Sequence, residues 1–437
     1  MGDRKVVITG FGAVGPLGLS AGSIWDGLRD GRCGIGPITA FDPSGFPCKL
    51  AGEVPPYRIQ DFLPKAYRKA AKLMSRDIEL AVIAADQAFR SSGLVTRAIE
   101  SGQVNIDPQR TGINLGAGLI SCDLIELAPA VAASLTDGRF DIRRWGCEGM
   151  QLVPPLWLLK YLPNMLACHV SIIHDLQGPS NSITSAEVSA AAAVAEARDI
   201  IARAGADVIL AGGAEAKVNP MVMMSQCLQG RATSVEEPDR ACRPFDKDAT
   251  GSVFGEAAGL LVLESVDHAI QRGARIWAEV LGTGEACSIS PDHPCLEPDG
   301  DAIRIAIEKA FEDAGIGPRD IDLIIPHGTG VPAEDLAESK GIEAAFGSCI
   351  DGIPVWPTKS QLSNTGAAAG AMDLIAALFT IRDSLVPAAR NFQQIRPGCR
   401  LKINTSPVAA RVDRVLCCSF TYGGQAAAVI LGRWQGR

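Results

Sequence analysis

Residues 178–193, GPSNSITSAEVSAAAA, decide how the rest of the chain reads. Gly178 and Pro179 mark a turn, residues 181–184 alternate polar and apolar, and the small residues that follow predict a helix to about Ala202. A strand, a tight turn and a helix in that order put the first helical residue at the floor of a pocket. Free backbone N–H groups and the positive end of a helix dipole lie beside it, and enzymes often hold a nucleophile there. The residue here is Glu187. A carboxylate is comfortable at a helix N-terminus but is a poor attacking group for acyl transfer. Taken alone, the stretch also reads as a buried turn with an acidic first-turn residue.

The chain has 437 residues, enough for two domain-sized halves or one large α/β unit. It is 47% hydrophobic and only 5% aromatic, so Ala, Val, Ile and Leu supply the core, as suits buried parallel strands covered by helices. A net charge of −8 gives no support for nucleic-acid binding. Thirteen cysteines, an odd number without a CxxC pair, fit reduced thiols in the cytoplasm. The opening MGDRKVVITG runs straight into a strand, so no signal peptide is expected. No apolar run is long enough to span a bilayer, so no membrane association is expected.

Residues 5–9 read as a buried strand, followed at residues 10–15 by a formal GxGxxG. Pro16 and Gly18 interrupt the helix that a dinucleotide fingerprint requires, so a glycine-rich crossover is preferred and no cofactor is expected. Lys65, Arg68, Lys69, Lys72 and Arg76 form a basic cluster, either a solvated helix face or a docking patch for an acidic partner. Residues 77–92 predict an amphipathic helix closed by Gly93, and residues 111–118 a strand with a glycine loop. Residues 119–135 read as helical, with Pro129 expected to kink or end the helix near Ala128. Residues 136–154 read as a loop, and a buried helix then runs to Asp175. His169 and His174 are five apart, a poor spacing for one helical face, so no metal is expected there.

Further on, residues 207–211 predict a strand ending in GGAEA, residues 229–258 a long polar loop, and residues 259–264 a strand. His327 follows another strand and opens His-Gly-Thr-Gly; it can serve as a general base or donor, although a lone histidine is more often structural. Residues 359–365 open a second small-residue helix. Phe420, Thr421, Tyr422, Gly423 and Gly424 form a turn before the last strand. A weak repeat relates Ala88-Phe89…Gly93-Leu94 to Ala310-Phe311…Gly315-Ile316, each ending an amphipathic helix. Two similar α/β halves, residues 1–264 and 265–437, account for it.

Together these pieces resemble the β-ketoacyl-acyl-carrier-protein synthases of the thiolase superfamily over nearly the whole chain. The matching motifs, in order, are VVITGFGAVGPLG, GPSNSITSA, AGGAEA, RPFDKDATGSVFGEAAGLLVLE, HGTG with Asp335 and Glu338 after it, TKS, and a GG turn before the final strand. The resemblance implies a five-layer αβαβα thiolase fold with two pseudo-symmetric halves, a dimer with active sites near its interface, and acyl carrier protein as a partner. Carrier docking would fall to Lys65, Arg68, Lys69 and Lys72. It further implies that the helix after Gly118 faces the partner's acyl tunnel, with Ser121, Leu124, Ile125 and Ala128 sharing one face.

The family's chemistry needs a cysteine and two histidines. Glu187 stands at the cysteine position, His327 matches the first histidine, and Asn364 occupies the second histidine's place. Lys359, Asp335 and Glu338 match the supporting polar shell, while the family's GFGGTN turn is altered across residues 421–426, beside Phe420 and including Tyr422. An intact scaffold without the nucleophile resembles the chain-length factor, the inactive partner of a working ketosynthase in type II polyketide systems. Glutamate in place of that group's usual glutamine is a departure. Three other readings compete: a malonyl-carrier-protein decarboxylase that makes starter units, an acyl enzyme using Glu187 as a base, and an NAD(P)-dependent oxidoreductase.

Overall fold

The computed structural model describes residues 4–99, 103–289 and 296–436. Its centre is an eleven-stranded mixed sheet. The strands are β1 (Val6–Val14), β2 (Thr111–Ala117), β3 (Ser180–Ile183), β4 (Val208–Ala216), β5 (Glu256–Ser265), β6 (Ala278–Cys287), β7 (Leu323–Ile325), β8 (Pro354–Val355), β9 (Lys402–Ile403), β10 (Arg414–Phe420) and β11 (Gln425–Gly432). Their order is β9-β8-β7-β10-β11-β6-β1-β5-β4-β2-β3.

The sequence repeat becomes geometry in this order. From the centre outward, β1 pairs antiparallel with β5, β5 antiparallel with β4, β4 parallel with β2, and β2 parallel with β3. On the other side β6 pairs antiparallel with β11, β11 antiparallel with β10, β10 parallel with β7, and β7 parallel with β8. Along the sheet, β1 and β6 join the two sets through the short register Val7↔Glu279 and Ile8↔Ala278.

Helices form three layers around and between the two sets of strands. Ser189–Ala202 and Ala369–Asp383 pack against each other and against strands of both sets. Ala369–Asp383 is buried through residue 381, which explains its small and apolar content on every side. Arg76–Ser92 covers one outer face and Asp301–Ala314 the other. Each ends on a left-handed glycine, Gly93 (φ 75°) and Gly315 (φ 64°), the repeat noted above.

Residues 10–14 of the GxGxxG run lie within β1, and its glycines serve packing. A Cβ on Gly12 would stand 2.1 Å from Ala84 O, and one on Gly284 of β6 would stand 2.1 Å from Ala306 O. These glycines let an outer helix touch its strand backbone; none of them opens a phosphate-binding helix.

Several local expectations are corrected. The helix after Gly118 begins at Leu124 and runs to Ala133, so Pro129 lies inside it and does not end it. Proline frees the carbonyl four residues earlier, and that residue, Ile125, is exposed, where water can satisfy it. Ser121 precedes this helix and its Asp123 cap, so it does not share a helical face with Leu124, Ile125 and Ala128. Residues 136–154 are not one loop: Leu135–Thr136 pairs with Arg139–Phe140, and the helix Ile142–Cys147 follows. The basic cluster spans two 3-10 turns, Lys65–Tyr67 and Ala70–Leu73, rather than one helix face. Arg76 leaves it, turning to Glu256 with Nε donating at 2.8 Å.

Candidate functional site

Glu187 sits in a single 3-10 turn, Ala186–Val188, between β3 and the helix Ser189–Ala202. Ala186 holds a left-handed φ of 46°, which costs a residue with a side chain about 1–3 kcal/mol and persists only where its surroundings enforce it. Ser189 enforces it: its hydroxyl accepts from Ser185 N at 2.8 Å and donates to Ala186 O at 2.7 Å. Gly116 of β2 leaves room, since a Cβ there would meet Ala190 N at 2.6 Å. Asn364 is presented in the same way, because Ser363 before it also has a positive φ of 64°.

The carboxylate of Glu187 is 1% exposed. Its Oε1 accepts from Arg231 Nη2 at 3.0 Å and, at the longer distance of 3.5 Å, from Asn364 Nδ2. Burial would raise its pKa, but Arg231 and Lys217 outweigh that and hold it at about 2, so it is ionised. Arg231 is itself buried and forked. Its Nε donates to Glu334 Oε1 at 2.7 Å and its Nη1 to Gln226 Oε1 at 3.1 Å, and its guanidinium lies 4.8 Å from the Tyr422 ring centre. Lys217 pairs with Glu215 at 2.9 Å, and Glu215 Oε2 accepts from Ala367 N at 2.6 Å.

His327 is fully buried, with its ring edge against Phe420 at 4.7 Å between centres. Burial and then the nearby Lys359 push its pKa well below the ordinary value, so the imidazole is neutral. Neither ring nitrogen has a hydrogen-bond partner among the described residues. Glu338 fixes the backbone around it, accepting from His327 N at 2.6 Å and Gly328 N at 2.7 Å. Asp335 collects Phe245 N, Thr329 N and Gly330 N at 2.7–3.1 Å. Lys359 pairs with Asp373 at 3.0 Å. Asn364 Oδ1 accepts from Gly366 N at 3.0 Å, so the amide is oriented with its N–H toward Glu187.

Ser121, Leu124 and Ile125 line a cavity of about 810 Å³ that also touches Met74, Asp77 and Tyr161; Ala128 is exposed and outside it. Lys65, Arg68, Lys69 and Lys72 are exposed. Sequence reasoning missed Arg231, Gln226 and Glu334 at the site. The only available signal was an arginine between glycine and alanine in a region that reads as a loop.

Residues 3–269 match the model of the β-ketoacyl synthase N-terminal domain, and residues 277–393 that of the β-ketoacyl synthase C-terminal domain. The chain belongs to the β-ketoacyl synthase family. This β-ketoacyl synthase relative is 32% identical to the 3-oxoacyl-[acyl-carrier-protein] synthase 2 of Coxiella burnetii over 99% of each chain. It is also 32% identical to the enzyme of the same name from Vibrio cholerae, over 99% of this chain and 100% of that one. Among solved structures, the ishigamide ketosynthase/chain length factor aligns with a TM-score of 0.84 at 31% identity, covering 99% of this chain and 100% of that one. A β-ketoacyl synthase from Burkholderia phymatum aligns with a TM-score of 0.85 at 27% identity, with the same coverage. The ketosynthase fold is therefore the thiolase-like one. No helix among the described residues is long and apolar enough to cross a membrane.

Proposed function

We propose that the chain is a catalytically silent ketosynthase-like subunit, akin to a chain-length factor. It pairs with an active ketosynthase in type II polyketide or fatty-acid-like biosynthesis and shapes the acyl tunnel. The observation that carries this reading is the buried Arg231–Glu187 pair at the position of the family's cysteine. A carboxylate cannot usefully accept and release an acyl group as a thiolate does. Held at about 2, it is also a weak general base near neutral pH, which counts against a carboxylate-based acyl enzyme. Asn364 offers an N–H but no proton exchange, and that N–H is turned to Glu187.

Pairing is supported at the sheet edge. β3 has one neighbour and ends the sheet, and the exposed Leu156, Leu158 and Ile172 come from the stretch that precedes it. An unpaired edge beside exposed apolar side chains calls for a cover. A permanent heterodimer would bury more than roughly 2,000 Å². The two halves, 1–264 and 265–437, act as one scaffold in this reading, located in the cytoplasm. Lys65, Arg68, Lys69 and Lys72 receive the acidic carrier protein.

The second reading is a starter-forming malonyl-carrier-protein decarboxylase. It draws on His327, whose neutral, unpartnered imidazole can donate to a developing enolate oxygen. Co-expression with a ketosynthase that retains Cys, His and His separates the readings. A silent subunit co-purifies as a stable heterodimer and alone does not decarboxylate malonyl-carrier protein; a decarboxylase turns over alone.

A further inference from the structure

We propose that the Arg231 side chain, in addition to the missing cysteine, closes the pocket at Glu187 to acyl-pantetheine thioesters; this rests on the silent-subunit reading of Glu187. Arg231 follows Gln229 and Gly230, both exposed, yet its own side chain is 6% exposed and ends 3.0 Å from the Glu187 carboxylate. The side chain therefore runs inward from a surface loop to the buried Glu187. The guanidinium lies 4.8 Å from the ring of half-buried Tyr422, whose neighbour Gly423 is exposed, and 5.6 Å from the ring of buried Phe254. The guanidinium thus lies between Glu187 and two places where the chain reaches the surface, residues 229–230 and Gly423. A pantetheine arm bringing a sulfur to residue 187 along that line meets the guanidinium first.

The plug does not depend on Glu187 alone. Glu334 takes Nε at 2.7 Å and Gln226 takes Nη1 at 3.1 Å, so two acceptors on two other helices keep the fork in place when residue 187 changes. Aromatic faces on either side favour the cation further. Restoring a thiol at 187 therefore leaves the way in shut.

The test is the alkylation rate of a cysteine at position 187, with iodoacetamide and with a chloroacetylated pantetheine amide as probes. In both, the thiolate sulfur forms a bond to carbon as halide leaves. Mass analysis of the peptide that carries residue 187 gives the rate, with the native cysteines as internal reference. The variants are Glu187→Cys and Glu187→Cys/Arg231→Ala, both checked by thermal melting. Adding Glu334→Gln removes the carboxylate that the double change leaves buried and unpaired. Glu187→Cys/Arg231→Lys keeps a cation while losing the fork.

The expected result is pantetheine-probe labelling at least about tenfold faster once Arg231 is shortened, a barrier change of about 1.4 kcal/mol. A purely electrostatic role moves the rate the other way, because a nearby cation favours the thiolate. Equal or slower labelling in folded variants overturns the access proposal and leaves the silent-subunit reading standing. Malonyl-carrier-protein turnover by the wild-type chain overturns that reading whatever the labelling shows.

Discussion

Arg231 Nη2 stands 3.0 Å from Glu187 Oε1, and both side chains are buried. Removing Arg231 leaves the buried Glu187 and Glu334 carboxylates without their cation, at a cost of about 3–5 kcal/mol. Glu187→Ala should lower the thermal stability of the subunit less than Arg231→Met does, because the guanidinium keeps Glu334. Glu187→Gln, which still accepts from the guanidinium, should lower it less still. A cycle of Glu187→Ala, Arg231→Met and their combination should give a double variant more stable than the sum of the singles. Additive effects in thermal unfolding would show that the pair is not coupled.

The same pair gives a pH dependence of known sign. The folded pKa of Glu187 is about 2, below the ordinary value of 4.5. Its contribution is then fully present above the unfolded value and is lost as pH falls toward about 2. Acid unfolding of Glu187→Gln should accordingly be shallower than that of wild type between those values. Identical acid limbs would place Glu187 outside the ion pair.

Gly12 tests the meaning of the GxGxxG run. A side chain there drives into Ala84 O and Gln87 of the helix Arg76–Ser92. Gly12→Val should destabilise by about 1–3 kcal/mol or more through overpacking. The wild-type chain should give no NAD(P)H fluorescence change. Saturable binding of the dinucleotide, lost in this variant at unchanged stability, would reinstate the oxidoreductase reading.

The cavity beside the 124–133 helix refines the expectation for product length. Ser121 lines it and Ala128 does not. In the complex with a ketosynthase, Ser121→Phe should shorten the main product by filling tunnel volume, whereas Ala128→Phe should act more weakly. Product profiles unchanged by Ser121→Phe in a well-folded complex would remove this subunit from length control.

Much of the architecture could be read from residue spacing. The paired motifs ending in Gly93 and Gly315 mark equivalent helix ends, and the small-residue runs after Glu187 and Asn364 mark the two central helices, because only small side chains allow layers to approach so closely. The conversion of Glu187 into an ion-paired group could not be read in the same way. Its partner Arg231 lies 44 residues on, in a segment without periodicity, and Glu334 reaches it from a third element. Such contacts depend on tertiary geometry that no local pattern carries. The helix over residues 119–135 is legible in the sequence, but its continuation past Pro129 is not: local propensity argues for a stop, while an exposed carbonyl makes the stop unnecessary.

The central claim is that residue 187 takes no part in chemistry. The most direct measurement is acyl condensation and malonyl-carrier-protein decarboxylation by the wild-type chain alone, by its complex with a Cys-His-His ketosynthase, and by the same complex bearing Glu187→Gln. The account predicts no turnover by the chain alone, and condensation by the complex that survives Glu187→Gln but is abolished when the partner's cysteine is replaced. Turnover by the chain alone that Glu187→Gln abolishes would contradict it.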